Sequence, residues 1–418
     1  MGIGGMVGGG IFAVLGLAVG LAGHAAPVAF ALGGGIAMVT GHSYIRLGLA
    51  FHDDGGSFTY LEHAFRHPNV AGIGGWLLLA GYVGTLALYG YTFGVYGSAM
   101  LGAGTGALVK HLLASGILVA FLAVNLYGVR ASGGSEDVLV VIKVLILGVF
   151  AVAGLFFMQT DHVLPLFNTG GTGVLMGAAL IFVAYEGFEL IPNALNEMRN
   201  PHRDLPRGII ISLLATTAIY ILVSLVAVGN LRPDEIQQYK EYALAVAAKP
   251  FLGQAGFFLI GLGAVLSTAS AINATLFSTA RLAMVMSQAK ALPTVFSHTE
   301  RTSDIPYVSL IAVTAVTVLG VNTLDLTIIS SFASSTFLLV FASINLSAVR
   351  LRRRIGISPV LPVVGIVACL ASWVTLVAYL YRTAATGLAW ILGAYAAIVV
   401  AELVFSERRV FTRARPSP

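Results

Sequence analysis

Long apolar runs leave this chain few ways to fold. Runs of about 20 residues, enough to cross a hydrocarbon core of about 30 Å as a helix, follow one another with only short polar breaks. Counting them gives about twelve, near 2–22, 27–50, 73–99, 107–128, 136–158, 173–197, 207–229, 254–287, 306–321, 324–346, 359–381 and 386–406. Only 10% of the residues are charged, against about 25% in soluble chains. The runs are continuous and do not alternate, which selects helices over a β-barrel. The expected fold is an all-α polytopic membrane protein of about 12 transmembrane helices, with no linker between soluble domains. Its one cysteine, Cys369, excludes a disulfide framework, and the nine histidines show no metal-ligand spacing. No metal or cofactor is expected. The net charge of +5 sits in loops and signals no nucleic-acid partner. No basic segment precedes the first apolar run, so a cleavable signal peptide is not expected.

Lys and Arg in the loops set the orientation. With the N-terminus inside, the inner segments hold 16 of the 23 basic residues and the outer ones 5. The inner set is Arg66, Arg130, Arg199, Arg203, Arg207, Arg281, Lys290, Arg301, Arg350, Arg352, Arg353, Arg354, Arg408, Arg409, Arg413 and Arg415. The outer set is Lys110, Arg232, Lys240, Lys249 and Arg382. Both termini are therefore expected in the cytoplasm, in a multi-pass protein of the cell membrane. Arg350 to Arg354 and the tail read first as topology signals and second as an anionic-lipid site.

Three spans break the apolar pattern. Span 1, MGIGGMVGGGIFAVLG, carries Gly8-Gly9-Gly10. Each glycine costs about 1 kcal/mol in a helix interior. Two readings fit: close helix packing through Gly4/Gly8 and Gly5/Gly9, or a break that leaves backbone groups open for a ligand. Span 6, LIFVAYEGFELIPNALNEM, holds Glu186, Gly187, Glu189 and Pro192, which do not suit a lipid-facing helix. Interrupted segments in corresponding places of two halves point to a transporter site, and the pair favours a break in both spans. Span 5 places Lys143 inside VLVVIKVLILG, about 10 Å past Glu136-Asp137 at 1.5 Å per residue. That depth argues against snorkelling. Burial penalises a charged ammonium, which makes Lys143 a candidate proton carrier; the alternative is a structural ion pair.

Span 8 carries Ser267, Thr268, Ser270, Asn273, Thr275, Ser278 and Thr279. Singly, such residues usually bond their own backbone; seven in thirteen residues suggest a face on a wet cavity. Tyr82, Tyr89 and Tyr91 are candidate cavity walls. Residues 53–68 read as an amphipathic interfacial segment, and 200–208, bounded by prolines, as a cytoplasmic turn.

Together these segments resemble the amino acid–polyamine–organocation (APC) permeases, in particular the sodium-independent, proton-coupled members. The marks are GGMVGGGIFAVLG (Gly4 to Gly16), Gly-Gly-Ser-Phe-Thr-Tyr at 55–60, VIKVLILG (Val141 to Gly148), FVAYEGFELI (Phe182 to Ile191) and NPHRDLPRGI (Asn200 to Ile209). The resemblance implies a LeuT-type fold of 5+5 inverted repeats with helices 1 and 6 interrupted. Residues 1–158 would form the first repeat, 173–346 the second, 359–406 two further helices, and 407–418 a cytoplasmic tail.

It also implies a substrate site at Met6, Gly8, Gly9, Gly10, Ile11, Val183, Tyr185, Glu186 and Gly187. Amides at Gly9 and Gly10 would hold an amino acid carboxylate at a helix N-terminus. Carbonyls near Met6, Val183 and Glu186 would hold the ammonium. Lys143, with Ser267 and Ser270, would couple protons to transport. Glu189 and Tyr82 would support the site from behind, and Glu186 either selects a cation, carries a proton or pairs across the break. In this family the first half-helix usually continues toward the cytoplasm, whereas only seven residues precede Gly8 here; either a truncated half-helix or a mis-set start is expected.

The expected function is proton-coupled amino acid transport by alternating access. An amino acid exchanger, or a polyamine or organocation antiporter without net ion coupling, is the alternative. A channel would need rings of like groups along a pore, which the sequence lacks, and a membrane enzyme a catalytic cluster, for which Lys143 with Ser267 or Ser270 is the one candidate, with no acyl-transfer motif beside it.

Overall fold

Among the described residues every regular element is helical. The computed structural model describes residues 2–51, 56–102, 106–128, 133–299 and 305–405. The expectations placed on Gly55, Arg130, Arg301, Arg408, Arg409, Arg413, Arg415 and the tail 407–418 lie outside the described residues. Among the described residues ten helical stretches are long and apolar enough to cross a membrane, by length and composition, two of them, Gly10–Ala50 and Gly170–Glu197, each running through more than one helix; Tyr307–Thr323 is a shorter apolar helix.

The first apolar run is two helices, α1 (Gly2–Met6) and α2 (Gly10–Ala22). A 3-10 turn at Gly23–Ala25 leads into α3 (Ala26–Ala50), and α4 (Gly56–Ala64) precedes the long α5 (Pro68–Met100). Next come α6 (Ala107–Leu126), α7 (Gly133–Leu155) and α8 (Gly170–Leu180). The sixth run then continues as 3-10 helix over Ile181–Tyr185 and Phe188–Glu197. α9 (Pro201–Asn230) is followed by the short α10 (Pro233–Gln238) and α11 (Ala243–Ala247), then by α12 (Lys249–Gln288). The chain ends with α13 (Tyr307–Thr323), α14 (Leu326–Arg350), α15 (Arg352–Ile355), α16 (Val360–Thr383) and α17 (Ala385–Phe405).

Burial, not polarity, tells the inner helices from the outer ones, because lipid is as apolar as the core. In α2, eleven of thirteen residues are buried. In α6 only Ala114, Leu118 and Asn125 are, and α16 and α17 bury one narrow stripe each. α2 and the sixth run form the centre of the protein; α6, α16 and α17 lie at its edge.

Glycines bring α3 onto α9. A Cβ at Gly34 would meet the Thr217 side chain at 2.3 Å, one at Gly41 would meet Leu213 at 2.9 Å, and one at Gly48 would meet Leu205 at 3.1 Å. The seven-residue spacing keeps all three on one face, and the partner numbers fall as the glycine numbers rise, so the two helices run antiparallel.

α4 buries one face, with Phe58, Tyr60 and Leu61 each about 1% exposed and the Ser57 hydroxyl paired with Tyr44 at 2.8 Å, while Glu62 and His63 are exposed. One segment differs from its sequence reading. Residues 201–208 are the first two turns of α9, not a loop. Pro201 sits at the first helical position, where its missing N–H costs nothing, and the Asn200 N–H donates to the Asp204 carboxylate at 3.0 Å.

Candidate functional site

The break in the first run falls at Val7-Gly8-Gly9. The Val7 N–H closes α1 on the Ile3 carbonyl (2.8 Å), and Ala13 opens α2 on the Gly9 carbonyl (2.9 Å). The first amides of α2 have no acceptor inside their own helix. The sixth run opens at Glu186, which is extended (φ −64°, ψ 145°), and at Gly187, with φ 120°, a conformation that favours glycine.

These two openings lie against each other, backbone to backbone. A Cβ at Gly187 would sit 2.9 Å from the Gly5 carbonyl carbon and from the Met6 nitrogen; a Cβ at Gly10 would sit 2.8 Å from the Ala184 Cα. Tyr220 of α9 spans both, its hydroxyl donating to the carbonyls of Met6 and Ala184. Nothing in the sequence singled out Tyr220. Its one signal is a phenol in the middle of the apolar stretch AIYILVSLVAVG.

Glu186 and Glu189 are 2% and 1% exposed. Tyr89 donates to Glu186 at 3.2 Å, and Tyr82 to Glu189 at 3.4 Å. Glu189 also accepts the Gly187 N–H at 2.8 Å, which fastens the backbone of the break. Both tyrosines come from α5, two turns apart on one face. Lys143 of α7 is 1% exposed, and its Nζ donates to the Gly4 carbonyl at 2.8 Å. Among the described residues no carboxylate forms an ion pair with it.

A cavity of about 1080 Å³ reaches α1 at Gly4 and Gly5, just before the first opening, and the second opening at Glu186 and Gly187, with Tyr89 also in its wall. Its wall continues along α12 through Ser270, Asn273 and Ser278 to Arg281 and Gln288. From Ser270 to Gln288 is about 27 Å at 1.5 Å per residue. The cavity thus reaches the connection between α12 and α13, where Ser297 and Thr299 also line it. The dense hydroxyl face of the eighth run lines it in part, while Ser267 and Thr268 are fully buried; Thr268 bonds the Ala264 carbonyl of its own helix at 2.7 Å.

The opposite end of the site is closed. Gly16 of α2 is so near the segment joining α10 and α11 that a Cβ there would lie 2.2 Å from the Lys240 carbonyl oxygen, and one at Gly20 would lie 2.3 Å from Gln237. Ala243 to Ala248 are all buried. Tyr91 donates to Glu241, and Lys110 reaches both, at 2.9 Å to the Tyr91 hydroxyl and 3.8 Å to the Glu241 carboxylate.

Several expected site residues do not touch this cavity. Gly8 and Gly9 lie under the Tyr89 side chain: a Cβ at Gly9 would meet its ring at 2.5 Å, and one at Gly8 its hydroxyl at 3.2 Å. Ile11 is fully buried. The Val183 N–H donates to Ser334 at 2.9 Å, and Ser334 in turn donates to the Leu180 carbonyl at 2.6 Å. Ser334 is a second residue the sequence reading missed, although the run SSFASSTF in α14 has the same hydroxyl density that marked α12. Tyr185 turns toward α3 and donates to the Phe30 carbonyl. The Ser267 Oγ is buried without a hydrogen bond.

Comparison with known proteins agrees with this architecture. The profile described as amino acid permease matches residues 1–401. An uncharacterized protein of Methanocaldococcus jannaschii is 30% identical over 99% of this chain and 95% of its own length. The inner membrane transport protein YbaT of Escherichia coli is 30% identical over 98% of this chain and 95% of its own. The methylthioribose transporter of Bacillus subtilis is 27% identical over 88% and 85%. The chain belongs to the amino acid permease family of the APC superfamily, and it is a multi-pass membrane transporter, not an enzyme.

Proposed function

We propose that this protein is a secondary active transporter that carries amino acids across the cell membrane by alternating access, coupled to protons through Lys143. The observation that carries the reading is the 1080 Å³ cavity that ends against α1, beside the first opening, and against the second opening at Glu186 and Gly187, with a buried lysine bonded to α1. Opened helices in lipid keep bare backbone groups only where something binds them. The family description, amino acid permease, supports the substrate class.

In this reading the α-carboxylate sits on the amides of Gly9 and Gly10, at the positive end of α2. The ammonium sits on carbonyls near Met6 and Val183 and on Glu186. Tyr89 covers the carboxylate seat and swings aside to admit it. The described arrangement is the inward-facing one: the cavity reaches the side that the Arg and Lys bias assigns to the cytoplasm, while Lys240 and Gln237 seal the other. Residues 1–158 and 173–346 act as two inverted repeats that rock about the openings, 359–406 adds two helices, and both termini lie in the cytoplasm.

Protonated Lys143 grips the Gly4 carbonyl with a charge-assisted bond, stronger than a neutral amine can make. Loss of the proton loosens α1. One proton thereby biases the position of the helix that carries half the site, with Ser267 and Ser270 on the facing helix. The test is uptake of a radiolabelled amino acid mixture into proteoliposomes. Accumulation under an inward proton gradient, and none under a sodium gradient, is the expected result. Uptake only into vesicles preloaded with amino acid would make the protein an exchanger and remove the proton step.

A further inference from the structure

A second site lies away from the helix openings, where the α4–α5 turn meets the end of α14. A cavity of about 560 Å³ is formed there by Phe65, Arg66, His67, Val70 and Arg350, with Ala64. Its lining contains three basic side chains and no acidic one. The Arg350 guanidinium lies 4.3 Å above the Phe65 ring. One turn on, the Arg354 guanidinium lies 4.8 Å above the Phe51 ring, and Phe51 is itself stacked on His63 at 4.3 Å. Two guanidiniums are therefore held by their faces. A stacked guanidinium keeps its in-plane N–H donors outward, in the fork that matches phosphate oxygens.

Among the described residues neither Arg350 nor Arg354 has a carboxylate partner. Topology alone explains positive charge at this end of the spans, but it does not explain why the charges are stacked around a cavity. Val70, 42% exposed, supplies an apolar wall on the side of α5. The segment of the chain after α17 carries Arg408, Arg409, Arg413 and Arg415 against Glu407, so its charge does not suit it as an occupant.

We propose that this cavity binds the headgroup of an anionic phospholipid, with the phosphodiester held by Arg350 and Arg66 of its wall and Arg354 contributing from beside it, one turn along the chain. The site stands where spans end, at the depth of headgroups, and joins α14 to the segment between α3 and α5. A bound lipid ties these elements together. The proposal needs only that the chain spans a bilayer; it does not rest on the transport reading.

The test is native mass spectrometry of the full chain in neutral detergent, titrated with dioctanoyl phosphatidylglycerol, dioctanoyl phosphatidylcholine or inorganic phosphate. Phosphatidylglycerol is expected to bind at least tenfold more tightly than phosphatidylcholine, a margin of the kind set by basic residues at a membrane surface. At about fivefold per basic residue, the double variant Arg350→Gln/Arg354→Gln weakens it by about thirtyfold, while Arg232→Gln, at the other end of the spans, leaves it unchanged. Phe65→Leu keeps every charge and removes one stacking face; it is expected to weaken binding about two- to fivefold and serves if the double variant fails to fold. Equal affinity for the two lipids, or phosphatidylglycerol binding unaltered by these substitutions, overturns the proposal. Inorganic phosphate binding as tightly as phosphatidylglycerol overturns the lipid assignment and leaves a phosphate site.

Discussion

Lys143 donates to the carbonyl oxygen of Gly4 across 2.8 Å, so the one basic group buried within α7 is bonded to the backbone of the interrupted first run. If its proton drives transport, Lys143→Ala abolishes accumulation against a gradient and leaves exchange of substrate at equilibrium. Wild-type uptake should rise as the outside is made more acidic, because protonated Lys143 is the form that grips α1. In the Ala variant that dependence should vanish. Uptake by Lys143→Ala that still follows the proton gradient would remove this residue from the coupling step.

Gly9 has no room for a side chain: a Cβ meets the Tyr89 ring at 2.5 Å and Thr268 at 2.9 Å. Gly9→Leu is expected to remove substrate binding, read by equilibrium binding of the labelled amino acid to purified protein. Binding within twofold of wild type would place the carboxylate elsewhere.

Tyr89 both covers that seat and bonds Glu186. Tyr89→Phe keeps the cover and removes the bond, leaving a buried carboxylate without this donor, a loss of about 1–3 kcal/mol. Substrate affinity should change in the direction that Glu186→Gln changes it, since both alter the same carboxylate. Competition binding with neutral and dibasic amino acids separates the roles of Glu186. A loss confined to dibasic competitors marks it as a side-chain selector; an equal loss for all marks it as the ammonium partner.

Gly187 is held at φ 120° with its Cα side against Gly5 and Met6. Gly187→Ala combines backbone strain with a 2.9 Å approach to backbone atoms that cannot turn away, so a cost above about 1 kcal/mol is expected. Thermal unfolding in detergent should show a lower midpoint. The same substitution at Gly148, whose Cβ would meet nothing within 4 Å, should leave the midpoint unchanged.

Tyr91, Lys110 and Glu241 hold the α10–α11 segment over the closed end. Glu241→Ala releases both partners. If the protein alternates access, this variant spends more time open on that side, and a cysteine placed at Gln237 should react with an impermeant thiol reagent several-fold faster than in the parent. An unchanged rate would mean that Gly16 and Gly20 packing alone keeps the end shut.

The two helix openings were legible because they violate a strong rule: three glycines, or two carboxyl groups with a proline, do not belong in lipid. Lys143 was legible for the same reason. The partners were not. Tyr220 and Ser334 obey every rule for an apolar helix, since phenols and hydroxyls are common there, and only tertiary placement turns them toward a break; Tyr89 was legible as a cavity wall. The start of α9 was misread because Pro201 and Pro206 resemble loop punctuation, while near a helix N-terminus proline is tolerated.

Tyr220 has a single hydroxyl proton and two carbonyls, Met6 and Ala184, within reach. A single hydrogen cannot fully satisfy both acceptors. Should the two segments part, the phenol can follow either one and keep a full bond, so their separation sacrifices little hydrogen bonding at this point. The contact works as a slip joint: it aligns the first and sixth runs when they are together without charging a toll when they come apart.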